Sequence, residues 1–136
     1  MDEEIGLEAA VEIWKGAEEY LDRTDHLAVQ KVYINLEFLH WDLGNRKESE
    51  ECVQKILQSC EATGDTSFAF SRYYNTGDHH EKKGELKVVL PCYEVAARIY
   101  EKDARKDPTR AKNLAEKIAQ IKEKLETNKS HGIFQS

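Results

Sequence analysis

Glycine and proline are sparse in this chain, 7 and 2 among 136 residues, and the glycines are scattered and single. No Gly-rich phosphate loop is present. Nowhere do about 18 apolar residues run together, which excludes a spanning helix. The three cysteines, Cys52, Cys60 and Cys92, are an odd number without a CxxC pair. Neither a disulfide framework nor a zinc site is expected, and a reducing cytoplasm is the expected location. Basic charge is in the minority, 20 Lys and Arg against 26 Asp and Glu. The opening Met1-Asp2-Glu3-Glu4 is acidic where a secretory or mitochondrial presequence would be basic.

What is present is 40% hydrophobic and 34% charged residues, too apolar for a disordered chain and too charged for a membrane protein. The length suits one domain, burying roughly two-thirds of the surface its unfolded chain would expose. The net charge of −6 divides into −10 over residues 1–68 and +4 over residues 69–136. The surplus of lysine and arginine lies mostly between Lys102 and Lys129, mixed with Glu116, Glu123 and Glu126 and without aromatics. A solvated helix face explains that stretch better than a nucleic-acid surface does, and no nucleic-acid partner is expected.

Apolar positions recur at helical spacing throughout. Gly44 and Gly84 each stand where a helix ends, Thr24-Asp25 and Gly64-Asp65 fall between segments, and Asp107-Pro108 reads as an N-cap followed by proline at the first helical position. The punctuation predicts helices at about 4–22, 26–43, 47–62, 66–83, 87–105 and 108–127. Sliding the chain on itself by the spacing of the two glycines reveals a repeat. Tyr33 meets Tyr73, Asn35 meets Asn75, His40 meets His80, Cys52 meets Cys92 and Val53 meets Tyr93. The first helix joins this register, with Ala9, Ile13 and Gly16 under Ser49, Val53 and Ile56.

These residues resemble the tetratricopeptide repeat in a long-period variant. The best copy has Tyr73 at the fourth consensus position, Gly77 at the eighth and Gly84 ending its first helix, with Tyr93 and Ala96 in the large and small slots of the second. In the earlier copy Tyr33, Leu36 and Gly44 fit, but Glu37 replaces the small residue at the helix crossing. The resemblance implies an all-α, right-handed superhelical stack of antiparallel helix pairs within one domain, residues 1–129. It would comprise a half repeat at 4–22, repeats at 26–62 and 66–105, a capping helix at 108–127 and a flexible tail at 130–136. On this plan Ala9, Ser49 and Val89 occupy equivalent helix crossings. Pro91 breaks a local rule, and a late helix start near Leu90 accommodates it more readily than a kink.

No acid, base and nucleophile set converges, so no catalytic residues, metal or cofactor are expected. Adjacent His79 and His80 point about 100° apart on a helix and cannot face one ligand. His40 and His80 read as packing histidines, and Cys52 and Cys92 as small apolar side chains. In the repeat frame the first helices present Lys31, Ile34, Asn35, Phe38 and Asp42, then Ser71, Tyr74, Asn75, Asp78 and Lys82, on a concave surface. An asparagine side chain both donates and accepts, so the recurring Asn35 and Asn75 suit the backbone of an extended peptide. The resemblance implies a non-enzymatic module binding a protein or peptide in that groove, as scaffold or adaptor. It does not imply the two-carboxylate clamp of the chaperone-binding subclass, because Ser71 and Asn75 stand where basic residues would be needed. Lys112 and Lys117 on the capping helix are expected outside the groove. The alternatives are a homo-oligomer, stacked head to tail through the acidic first half and basic last helix, or a piece of a larger repeat regulator.

Overall fold

The computed structural model describes residues 2–130. Among them every regular element is helical: α1 (Asp2–Glu19), α2 (His26–Asp42), α3 (Arg46–Thr63), α4 (Ser67–Lys82), α5 (Leu86–Tyr100) and α6 (Pro108–Ser130). The chain forms two compact units, Met1–Asp65 and Thr66–Ser136. Of the expected tail, Ser130 closes α6, and 131–136 lie outside the described residues.

Helix ends follow from the residues that stand there. Asp25 accepts a hydrogen bond from the Ala28 amide at 3.1 Å, as an N-cap side chain does. Gly44 and Gly84 have φ of 82° and 76°, a left-handed conformation that reverses the chain and costs other residues more than glycine. Two helices stop earlier than their apolar pattern suggests. After α1, Asp22 accepts from the Thr24 amide at 2.9 Å. After α5, Asp103 accepts from the Arg105 amide at 2.7 Å. Such short acidic side chains give the backbone a partner that competes with helix propagation.

In the first unit α1 packs on α2 and α2 on α3. Buried Val32, Tyr33 and Leu36 of α2 share a core with Val53, Ile56 and Cys60 of α3. Glu37 pairs with Ser49, and Gln30 with Ser59, so the two helices run antiparallel. The Tyr33 hydroxyl donates to Glu18 and accepts from Arg23, tying α2 to the end of α1. In the second unit α4 packs on α5 and α5 on α6. Tyr73, Val89, Tyr93, Ala96 and Ile99 are almost completely buried, and Leu114 and Ile121 bring α6 into the core.

Three expectations are corrected. The helix holding Pro91 does not start late: α5 begins at Leu86 and carries the proline in its interior. Ser49 and Val89 are buried at the fourth position of their helices, but Ala9 is exposed and Ile13 is 71% exposed. The inner side of α1 is instead marked by Leu7, Val11, Trp14 and Glu18, at the three- and four-residue spacing of one helix face. Ile34, expected on an open groove, is completely buried.

Candidate functional site

The second unit contains a cavity of about 780 Å³ lined from α4, α5, α6 and the segment joining α5 to α6. Its floor is aromatic because Phe70 and Tyr74 are one turn apart on α4. Their rings stack with centroids 5.5 Å apart, and Phe70 also meets Tyr100 at 5.3 Å. Such contacts hold flat apolar rings in fixed positions.

Two cations reach this floor from α6. Arg110 lies over Phe70 at 5.6 Å, and the Lys117 nitrogen lies 5.6 Å from the centre of the Tyr74 ring. Both fall within cation–π range. Lys117 also approaches Glu81 at 3.3 Å, and Glu81 accepts from the Tyr93 hydroxyl at 2.8 Å. Burial lowers the readiness of Lys117 to hold its proton, but its interactions with the neighbouring Tyr74 and Glu81 outweigh it and the ammonium is held above its ordinary range. Burial, then the adjacent Glu81, pushes the Tyr93 hydroxyl upward, so it stays a neutral donor.

The rim is polar. Ser67, Ser71, Asn75 and Asn113 line it together with Asp103 and Asp107. Asp103 accepts from the Thr66 hydroxyl at 2.6 Å, and the Asp107 amide donates to the Tyr100 hydroxyl at 2.8 Å. The wall is therefore held from both ends of the joining segment. Asp107 in turn accepts from the Thr109 amide at 2.9 Å, fixing the start of α6 and with it the reach of Arg110, Asn113 and Lys117.

The residues expected from the sequence divide three ways. Ser71, Tyr74 and Asn75 line the cavity. Asp78 pairs with Lys82 along α4 at 3.2 Å, and neither lines the cavity. On α2, Lys31 and Asp42 are exposed and Asn35 and Phe38 half-buried. The Asn35 amide nitrogen donates to the Lys31 carbonyl at 2.7 Å, within its own helix. Lys117 is a correction, since it belongs to the lining. Phe70, Tyr100, Arg110 and Asn113 also line the cavity and were not among the expected site residues. The available signal was the spacing Phe70/Tyr74 on one helix and Arg110/Asn113/Lys117 on the next, each set on one face.

The histidines and thiols lie elsewhere. His40 is buried, with Nδ1 3.3 Å from the Asn45 amide nitrogen, and His80 meets Glu85 at 2.9 Å. Cys52, Cys60 and Cys92 are buried thiols, none of them in a disulfide. Burial, reinforced by Glu37 and other carboxylates, pushes the Cys52 thiol up to about 12, opposite to the shift that activates a nucleophile. Among the described residues no three His, Cys, Asp or Glu side chains gather as a metal site, and no helix is long and apolar enough to cross a membrane. The cavity can therefore offer stacking, cation and amide contacts. Comparison of the chain with protein-family models, with curated proteins and with solved structures finds no match to any of them.

Proposed function

We propose that the chain is a non-enzymatic protein-interaction module that takes an extended peptide in the cavity of its second unit. The observation that carries this reading is the aromatic floor of Phe70, Tyr74 and Tyr100 beneath Arg110 and Lys117, rimmed by serine, asparagine and aspartate side chains. An apolar or aromatic peptide side chain matches the floor, a peptide carboxylate matches Arg110, and Asn75 and Asn113 can donate to and accept from a peptide backbone. The antiparallel pairing of α2 with α3 and of α4 with α5 supports the further proposal that the chain follows the superhelical plan of tetratricopeptide-like repeats. A cytoplasmic adaptor or scaffold role belongs to the same proposal.

Selection of peptides from a random displayed library on the intact chain tests it. The selected peptides should combine an aromatic or large aliphatic residue with an acidic one. They should bind Tyr74→Ala and Arg110→Ala at least tenfold more weakly than the parent. Exposed Lys112 lies outside the lining, so Lys112→Ala should bind as the parent does. Peptides whose affinity ignores Tyr74 and Arg110 would remove the cavity from consideration.

A further inference from the structure

Ile5, Ile13 and Tyr20 are 63%, 71% and 89% exposed. On a helical projection Ile5 and Ile13 fall on one side of α1 together with Gly6, Ala9, Gly16 and Ala17, Tyr20 follows in the turn directly after the helix, and Val11 is buried on the opposite side. A β-carbon added to Gly6 or Gly16 would meet nothing within 4 Å. The face is thus apolar, low in profile at two points, and open.

The repeat shows what such a face does elsewhere in the chain. Ile13, Gly16 and Tyr20 correspond to Val53, Ile56 and Cys60 of α3 and to Tyr93, Ala96 and Tyr100 of α5. All six counterparts are buried. An antiparallel helix packs on each set: α2 reaches α3 through Glu37 and Ser49, and α4 reaches α5 through Phe70 and Tyr100.

Charge selects the occupant. Residues 2–19 carry seven carboxylates and one lysine, and that lysine, Lys15, pairs with Glu12 at 3.8 Å. Glu8, Glu12 and Glu19 are exposed along one margin of the apolar stripe and Glu3 along the other. A second copy of α1 would set carboxylates against carboxylates. The basic α6 of another copy has its apolar Leu114 and Ile121 already buried in its own unit, so they cannot supply a stripe for this face. We propose that the outer face of α1 docks an amphipathic helix of a partner protein, antiparallel to α1, with its apolar stripe on Ile5, Ile13 and Tyr20 and lysines or arginines along its margins. This surface is independent of the cavity in the second unit.

The probe is a synthetic 18-residue peptide (on the order of five helical turns) with leucines at helical a/d-type spacing and lysines on both margins. It is titrated into the isotope-labelled intact chain and followed by amide NMR shifts. A scrambled peptide of the same composition and one with glutamate for lysine serve as controls. The striped basic peptide should shift amides of α1 and bind at least tenfold more tightly than either control. Ile13→Glu should weaken it at least tenfold without altering the helical circular dichroism, because Ile13 is exposed. The sign is diagnostic: the new carboxylate strengthens plain electrostatic attraction to a lysine-rich peptide and weakens only apolar docking. Tyr20→Ser, which leaves the charge unchanged, should weaken binding in the same sense. Absence of binding, equal binding of the scrambled peptide, or unchanged or tighter binding to Ile13→Glu would overturn the proposal. So would a dimer in sedimentation that Ile13→Glu dissociates, which would assign the face to a second copy.

Discussion

The ring of Tyr93 fills the space in which a β-carbon on Gly77 would stand, its Cε1 and Cδ1 only 2.7 and 2.8 Å from that point. At the equivalent crossing of the first unit Glu37 replaces the glycine, and the Ser49 hydroxyl donates to its carboxylate at 2.6 Å. The two crossings share a backbone plan but solve it with different chemistry: shape in one, a buried polar contact in the other.

Gly77→Ala should destabilise the chain by about 1–3 kcal/mol, because the almost completely buried Tyr93 ring cannot move without disturbing its neighbours. The helix-propensity gain of about 1 kcal/mol works in the opposite direction and is smaller than the expected strain. Gly16→Ala provides the contrast, since its new methyl group enters open space. It should stabilise the chain by roughly 0.5–1 kcal/mol. Urea midpoints of the two variants should therefore move in opposite directions.

Ser49→Ala removes a donor from the buried Glu37 carboxylate. A hydrogen bond to a charged group contributes about 1.5–3 kcal/mol, so chemical denaturation should show a loss in that range. A change below the resolution of the measurement would mean that the remaining contacts of Glu37 satisfy it fully.

Alkaline pH should destabilise the fold. Burial and nearby carboxylates raise the Cys52 thiol from 9.0 to about 12 in the folded chain. Burial and the Glu81 hydrogen bond raise Tyr93, and burial and the Glu18 hydrogen bond raise Tyr33. Each group keeps its proton longer when folded, so its contribution is fully present below the unfolded value and is lost as pH rises toward the folded one. Stability followed by circular dichroism should fall above about pH 9–10, and Cys52→Ala should remove part of that slope. A thiol reagent at pH 8 should label three cysteines in denaturant and essentially none in the native chain.

The two repeat asparagines should behave differently toward a peptide selected for the cavity. Asn75 lines it, whereas the Asn35 amide already donates to the Lys31 carbonyl. Asn75→Ala should weaken binding about tenfold, equivalent to about 1.4 kcal/mol, and Asn35→Ala should leave it unchanged. Equal losses at both positions would point instead to a clamp formed by the asparagine pair.

Local chemistry determined what the sequence alone could specify. Glycines at 44 and 84, the Asp25 cap and the Asp107-Pro108 pair set helix ends because each acts over a few bonds of its own backbone. The forty-residue register likewise brought out the pairing of α2 with α3 and of α4 with α5, since apolar spacing repeats wherever the packing partner repeats. Packing decided the rest. Side-chain periodicity identifies an apolar face on α1 but not whether another helix covers it, so Ile13 is exposed where Val53 and Tyr93 are buried. In the same way, Lys117 belongs with Tyr74 only because α6 packs on α5 and its first residues are held by Tyr100 and Asp107. A cavity is the space left between helices, and its lining depends on distances between residues far apart in the chain, which no spacing along a single helix encodes.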